Sequence, residues 1–508
     1  EVSFDEGTLI GFDAGEHGEV IASRERDRWI RLSGHVGAGR LLLRTGEEAP
    51  VLAARLLTGT CFGEKLPPMD FRVATTRGTN ALLERKGART ALFVTKGFED
   101  LPHIRDQRRS LLFSLQQPDE EVLCEKIMGI SGRLDTEGNV VVALDEPTVR
   151  KAARQCLKNG IQVAAVALIH AWRDPSMESQ VATWLHVEGF THVTTSSRVA
   201  PGFRFLPRLE TAVADAWLAP IMEDFTNKVA TAMGTGEPWM MTSAGGLVSS
   251  KRYQPKDSLL SGPAGGLVGA ATVARGAGFP KVLTFDMGGT STDVARIDGP
   301  FAFRYEQEIG PARVLAPALK IETVAAGGGS VCRWHLGRLE VGPESEGSVP
   351  GPACYGRGGP LTVTDVNLLL GLMRPEGAGI PLDPAPAHAE LRKLMDAMTA
   401  EGITPPSEKD LLEGLRAIAV EKMAEAIRSV SLAEGHQPDN FTLFAFGGAG
   451  PQHGCAVASN LGIRRVLVPG DAGLLSAWGL DRARRQEQTV RQILPPLSKV
   501  AFLETWEA

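Results

Sequence analysis

Val282-Leu283-Thr284-Phe285-Asp286-Met287-Gly288-Gly289-Thr290-Ser291-Thr292-Asp293-Val294-Ala295-Arg296-Ile297-Asp298-Gly299 decides how the rest of the chain is read. An apolar run ends in an acid, a Gly-Gly-Thr-Ser-Thr turn follows, and a second acid opens an alternating strand. Paired glycines let a backbone approach an anion closely and aim successive N–H groups at it. The hydroxyls of Thr290 and Ser291 add donors. Asp286 and Asp293 flank the turn, where two carboxylates suit Mg²⁺ held directly or through water against phosphate. No Lys follows the glycines, and a strand rather than a helix follows the turn, so this is not a Walker loop. G-x-G-x-x-G is absent from the stretch, so it is not a dinucleotide fingerprint. The same residues would also serve a plain hairpin with Asp293 in solvent.

Three further glycine clusters surround this turn. Leu260 to Gly266 leads into a helix over 267–275, and Phe444 to Pro451 leads from a strand into a helix near 452–461. Ala325 to Ser330 is the third. A strand, a glycine turn and a helix N-terminus together suit a phosphate or a ribose. With the Asp286 turn they point to a nucleotide cleft lined by backbone, Gly447 and Gly448 included. His453 reads equally as a structural hydrogen-bonding group or a site residue. Cys354 has no His close in sequence, which disfavours a nucleophile. No H-x-x-x-H pair occurs, which disfavours zinc.

Further out, strands and helices alternate. Thr75 to Asn80 reads as a polar turn, Ala81 to Lys86 as a helix closed by Gly87, and Thr90 to Thr95 as a buried strand. A helix opens at Asp145-Glu146-Pro147 and closes at Gly160. Residues 161–169 are apolar apart from Gln162, as in a strand covered on both faces. A helix over 177–187, a strand over 192–195 and a long helix over 207–233, kinked or broken at Pro220, follow. Residues 234–238 read as a linker turn, 375–406 as a Pro-, Gly- and Ala-rich connection over the surface, and 411–433 as an amphipathic helix. The stretch before about residue 65 reads as short strands and turns. The alternation predicts mainly parallel sheets.

Composition bounds the function. The 508 residues suggest about three domains. Lys+Arg number 54 and Asp+Glu 60, a net charge of −6, so the basic footprint of a nucleic-acid binder is missing. With 43 % apolar and 22 % charged residues, wholesale disorder is excluded. The cysteines at 61, 124, 156, 332, 354 and 455 show no C-x-x-C pair, as expected of buried thiols in a reducing compartment. No apolar run is long enough for a membrane span, and Glu1 to Glu6 shows no leader, so a cytoplasmic protein without membrane contact is expected.

The motifs resemble those of the hydantoinase/5-oxoprolinase A-type family, which includes the acetone carboxylase β subunit. Thr75 to Arg85, Gly87 to Thr90 and Thr95 to Phe98 match, as do Leu260 to Gly266, Asp286 to Asp293 and Ala326 to Ser330. Val341 to Ser345, Gly351 to Gly359, Thr362 to Asp365 and Phe446 to His453 complete the set, over about residues 70–480. The resemblance implies an α/β, actin-like ATPase fold of two domains, like sugar kinases and chaperones, with mixed, mainly parallel sheets. ATP would lie in the cleft between them. It implies an N-terminal hydantoinase/oxoprolinase-type domain over 1–235, an ATP-binding domain over 236–480, and the start of a shortened C-terminal region over 481–508. The family's first phosphate hairpin, D-x-G-G-T-F-T-D, is expected before residue 70. Gly11-Phe12-Asp13-Ala14-Gly15-Glu16 departs from it. The family continues past Ala508, so the chain reads as a piece lacking its start and end, or as a diverged member. Ala244 stands where the family commonly has Asn.

The activity implied is ATP-dependent opening of a cyclic amide such as 5-oxoproline or a hydantoin, by phosphorylation of the ring carbonyl oxygen and attack by water. The alternatives are a carboxylase subunit of the acetone carboxylase type, and a nucleotide-binding subunit inactive alone. By the resemblance Asp286 and Asp293 are the catalytic and Mg²⁺-binding pair, and Gly288, Gly289, Thr290, Ser291, Gly447 and Gly448 bind ATP. Glu322 and Asp365 are further catalytic candidates. Arg77, Asn80 and Arg105 are candidates for a substrate carboxylate. The implied partner is a hydantoinase B-type subunit or domain, in a homo- or hetero-oligomer.

Overall fold

Four short strands, β1 (Leu9–Phe12), β2 (His17–Arg24), β3 (Trp29–Leu32) and β4 (Leu41–Arg44), pair in the order β3-β2-β1-β4 with antiparallel neighbours. The computed structural model describes these strands by backbone alone. It describes residues 46–108, 113, 115, 121–375, 380–488 and 490 with their side chains. Residues 13–16, part of the Gly11 to Glu16 stretch that departs from the family's hairpin, lie outside the described residues, as do 491–508. The stretch read as strands and turns also holds a helix, α1 (Ala49–Thr58), started by Pro50 and closed by Gly59 at φ 66°.

The first α/β unit is built on runs that are apolar on both faces. β5 (Thr90–Thr95), β6 (Lys126–Ile130), β7 (Val163–Ala167) and β8 (His192–Thr195) form a parallel sheet in the order β8-β7-β5-β6. Helices α3 (Glu146–Lys158) and α4 (Ser176–Glu188) cover one face, where Phe93 and Val166 meet Val149, Ala153, Val181 and Leu185. The long helix α5 (Phe205–Ala232) covers the other, where Leu92, Val94 and Ala165 meet Leu209, Ala212 and Val213. Before them α2 (Arg77–Glu84) extends the expected helix by one turn at its start. Helix α5 continues through Pro220, so of the kink or break expected there the break does not occur. Its apolar residues Leu209, Trp217, Met222, Phe225 and Val229 are buried along the whole length, and that packing outweighs the roughly 3 kcal/mol cost of an internal proline.

The second unit is organised by the hairpin that opened the sequence reading. After α6 (Ser261–Gly276), β9 (Lys281–Met287) turns back into β10 (Thr292–Asp298), and β11 (Glu322–Val324) pairs antiparallel with β10. On the other side β12 (Thr442–Phe446) and β13 (Val466–Leu467) run parallel to β9, giving the order β11-β10-β9-β12-β13. The sheets are therefore mixed here and parallel in the first unit. The pleat sends Leu283, Phe285 and Val294 toward α9 (Glu408–Ser429), with α7 (Val363–Leu369) nearby. It sends Val282, Ala295 and Ile297 toward α6. The connection expected over 375–406 contains a 17-residue helix, α8 (Pro384–Ala400). Pro384 sits in its first turn, where a missing N–H costs nothing, Asp383 caps it, and Leu391, Leu394 and Met398 are buried.

The two units share backbone. Trp239–Met241 pairs parallel with Arg72–Val73, so a small sheet crosses the expected division at 235. Ser261 Oγ donates to the Thr75 carbonyl at 2.8 Å, joining the segment before α2 to the start of α6. No helix among the described residues is long and apolar enough to cross a membrane. The six cysteines are free, and those at 124, 156, 332 and 354 are buried.

Helix α11 (Leu475–Arg482), after α10 (Gly450–Asn460), crosses α6 at glycine. A Cβ on Gly269 would lie 2.5 Å from the Leu475 carbonyl, and one on Gly479 would strike the Gly265 carbonyl. Gly479→Val is therefore expected to cost about 2 kcal/mol or more, read as a lower urea midpoint. An unchanged midpoint would show that the crossing is not made.

Candidate functional site

Cross-strand register places Asp286 opposite Asp293, and Asp293 opposite Thr323. Opposed residues share a face, so three polar side chains form a row at the end of an otherwise apolar sheet face. Thr323 Oγ1 donates to Asp293 Oδ1 at 2.5 Å. Asp286 receives no hydrogen bond from the described residues. Burial, reinforced by the Asp293 charge, pushes the Asp286 carboxyl up to about 7. Burial also raises Asp293, against the lowering bond from Thr323. A mostly buried carboxylate with an acid beside it and no donor calls for a proton or a cation. No cluster of three or more metal-ligating side chains occurs among the described residues. Two carboxylates are few ligands for a bare divalent ion but suit one that also takes water and phosphate oxygens.

Glycines let the neighbouring backbone close on this pair. A Cβ on Gly266 of α6 would lie 3.2 Å from Asp286 Oδ2, and one on Gly447 would strike Asp286 Oδ1. Gly447 also holds φ 81°, a left-handed conformation that glycine adopts without strain. The turn itself is fixed from behind. Gly328 N donates to the Gly288 carbonyl (3.1 Å) and Gly329 N to the Gly289 carbonyl (2.6 Å). Gly327 allows this approach, since a Cβ there would lie 2.6 Å from the Gly289 carbonyl. With both carbonyls turned away, the N–H groups of Gly289, Thr290 and Ser291 are left without acceptors among the described residues. The turn thus offers donors outward, as an anion requires.

A cavity of about 500 Å³ opens beside the turn. Its lining combines Gly288, Gly289, Gly328 and Thr364 with the apolar Leu372, Met373, Ile380 and Leu382 and with Arg374. Gly448, Ala449 and Gln452 at the start of α10 lie along its side. Ala449 N donates to the Met287 carbonyl (2.9 Å), which locks this helix start to the end of β9. The volume, and a lining that holds both amide donors and apolar side chains, suit a ligand with an anionic part and a flat heterocyclic part.

Of the residues singled out in the sequence, the structure brings together Asp286, Asp293, Gly288, Gly289, Gly447 and Gly448, with Thr290 and Ser291 on the same turn. It leaves others apart. Glu322 is opposite Val294 in register, so it lies on the reverse face from Asp293, and it pairs with Arg304. Asp365 is fully buried in a capping box. It accepts from Thr362 N and Oγ1 (both 2.8 Å), Cys354 N (2.8 Å) and Ala353 N (3.1 Å), which leaves it folding the 351–365 loop. Arg77 pairs with Glu48 and lies over the Phe225 ring at 5.2 Å. Asn80 Nδ2 donates to Thr76 Oγ1 at 3.5 Å, within its own turn. Arg105 bonds Glu210 at 2.9 Å. None of these three lines the 500 Å³ cavity. Sequence reading missed Thr323, Asn367 and Gln452. The last two sit inside or beside quoted motifs, but only the fold turns them toward the cleft.

A family model described as hydantoinase/oxoprolinase matches residues 208–489, and one for the hydantoinase/oxoprolinase N-terminal region matches 67–189. The chain is 38 % identical over 484 residues to 5-oxoprolinase 1 of Arabidopsis thaliana, covering 86 % of this chain and 38 % of that protein. It is 31 % identical to the acetophenone carboxylase gamma subunit of Aromatoleum aromaticum, covering 88 % and 65 % respectively. The solved structure of an ATP-dependent caprolactamase from Pseudomonas jessenii superposes with a TM-score of 0.70 at 27 % identity, covering 93 % of this chain and 70 % of that one. The chain therefore spans well under half the length of the 5-oxoprolinase it matches.

The two acids at 286 and 365 are expected to respond oppositely to substitution. A carboxyl held near 7 in the fold, against 3.8 ordinarily, contributes stability that is fully present below about pH 4 and lost as pH rises through 7. Asp286→Asn should therefore be more stable than the unaltered chain at pH 8, on the order of 2 kcal/mol after solvent screening at the cleft mouth, and equal to it near pH 4. Asp365→Ala leaves four donors unmet and should cost about 3 kcal/mol at either pH. Denaturant titrations at both pH values check this, and equal losses for the two variants at pH 8 would contradict it.

Proposed function

Because the chain belongs to the hydantoinase/oxoprolinase family, we propose that it provides the nucleotide site of an ATP-dependent enzyme that opens a cyclic amide, such as 5-oxoproline or a hydantoin-like ring. The observation that carries this reading is the Asp286–Asp293 pair beside a turn that presents free amides. That arrangement has little use in a structural hairpin and an immediate one beside a metal-neutralised triphosphate. The names of the Arabidopsis and Pseudomonas relatives support the ring-opening chemistry and the use of ATP.

Bound Mg²⁺-ATP would supply the phosphoryl group that makes the ring carbonyl a good electrophile. The residues of this chain bind, orient and neutralise. Gly289, Thr290 and Ser291 donate to phosphate oxygens, while Gly288, whose own N–H donates to the Ser291 carbonyl (3.0 Å), gives the backbone room to approach. Asp286 and Asp293 hold the cation from the sheet side, and a divalent charge there draws Asp286 back to its ionised form. Gly447 and Gly448 let the start of α10 close on the nucleotide. A preorganised set of amides costs no rearrangement as charge shifts, which is where the rate gain arises. In this reading residues 1–235 form the N-terminal unit, 236–480 the ATP-binding unit and 481–508 the start of a further region. A B-type subunit or domain completes the enzyme, in a homo- or hetero-oligomer in the cytoplasm.

A carboxylase subunit is the second reading, favoured by the 31 % identity to the acetophenone carboxylase gamma subunit, by name one component of an assembly. ATP hydrolysis by the chain with its B-type partner distinguishes the two. Stimulation by 5-oxoproline or a hydantoin supports ring opening, and stimulation only by a ketone with bicarbonate supports carboxylation. In the active assembly Asp286→Asn should lower kcat by about a thousandfold or more while the fold survives. Turnover within about tenfold of the unaltered enzyme would remove Asp286 from the reaction.

A further inference from the structure

His453 on α10 is fully buried, yet its surroundings are polar. Asn367 of α7 donates Nδ2 both to His453 Nε2 (2.9 Å) and to Gln452 Oε1 (2.9 Å). Burial, reinforced by the Arg416 charge on α9, lowers the imidazole to about 4, so the ring is neutral at pH 7 and Nε2 carries a lone pair. His453 Nδ1, Asn367 Oδ1 and Arg416 Nε are buried and meet no protein partner. Where three helices meet, a neutral imidazole thus holds one amide in place, and that amide holds a second.

The second amide faces the cleft. With Gln452 Oε1 occupied by Asn367, the –NH₂ end of Gln452 is the end left over, and it meets no acceptor among the described residues. Gln452 lines the same cavity as Gly448 and Ala449, the Gly288-Gly289 turn and the apolar Leu372, Met373, Ile380 and Leu382. With phosphate at the Gly289 to Ser291 amides, a donor elsewhere on this lining is left for the nucleoside. Buried amide networks fix orientation in this way when each member is held by the next.

We propose that Gln452 is a specificity-determining donor that reads an acceptor on the nucleoside, a ring nitrogen or a ribose oxygen. Asn367 and His453 are positioning residues that set its amide. The proposal rests on the nucleotide reading of the cleft and adds to it the group that recognises the nucleoside. Freed from Asn367, the Gln452 amide would present oxygen as often as nitrogen, and affinity would fall without any change at the phosphate turn.

Calorimetric binding of Mg²⁺-ADP, Mg²⁺-GDP and Mg²⁺-2′-deoxy-ADP to the full chain tests this. Gln452→Leu should weaken ADP binding about tenfold, the worth of one hydrogen bond. His453→Leu should weaken it about threefold, and His453→Gln, which restores an acceptor for Asn367, should recover it. If Gln452→Leu erases the preference for ADP over GDP, the acceptor is on the base. If it erases the preference over 2′-deoxy-ADP, the acceptor is on the ribose. Unchanged selectivity on both arms, with ADP affinity within twofold of the unaltered chain, overturns the proposal and leaves the nucleotide site standing. Failure of the unaltered chain to bind any of the three overturns the nucleotide reading, and this proposal with it. Should His453→Leu not fold, the half-buried Gln452→Leu decides alone.

Discussion

Two carboxylates on neighbouring strands, at the end of a sheet buried on both faces, set the terms for everything around them. Alone, the arrangement is unfavourable: burial raises both acids, the Asp293 charge raises Asp286 further, and Asp286 has no donor among the described residues to offset this. A fold does not keep such a pair for stability, since an apolar or amide pair in the same register would pack at lower cost. The glycines nearby make sense on the same terms. Gly266 and Gly447 are the points where α6 and the end of β12 come close enough to enclose the Asp286 carboxyl, and any side chain there would displace it.

The turn beside the pair is closed by one bond of its own, Gly288 N to the Ser291 carbonyl (3.0 Å), and is held from behind by a second loop. Gly328 and Gly329 take up the carbonyls of Gly288 and Gly289, so the orientation of the outward amides depends on a segment some forty residues later in the chain. That segment is tied in turn to α7, where Thr364 N and Oγ1 each donate to the Gly328 carbonyl at 2.8 Å. Asp365 follows directly and folds the 351–365 loop. It works two shells away from the cleft, keeping rigid the platform on which the donors stand. On the opposite side α6 is joined to the first unit through Ser261 and Thr75 and crosses α11 at glycine. Any movement of the first unit against the second would therefore be felt at Gly266, next to Asp286.

Much of this was legible in the sequence because backbone-lined sites leave a composition signature. Glycine pairs with acids at strand ends are short-range patterns, and the Asp286 turn, the Gly447-Gly448 turn and the alternation of strands and helices all follow from local rules. Glu322 was not legible, because which face a residue takes depends on the register of β11 against β10, set by a distant pairing. Asp365 misleads for a related reason: an acid in a Gly-Pro-rich loop resembles a catalytic group until its four donors are seen. Arg77 and Arg105 are claimed by Glu48 and Glu210, remote in sequence. Pro384 marks a helix start in a stretch whose composition suggested a surface connection. The Asn367–Gln452 bond spans 85 positions and has no local signal at all.

On this reading the Asp286–Asp293 pair and the amides of Gly289 to Ser291 serve one ligand, a metal-neutralised polyphosphate. A crystal structure of the chain with Mg²⁺ and a non-hydrolysable ATP analogue tests this most directly. The account predicts phosphate oxygens against the turn amides, a cation between them and the two carboxylates, and the base toward Leu372 and Ile380. Nucleotide bound elsewhere, or a turn whose amides remain turned away from it, would contradict the account.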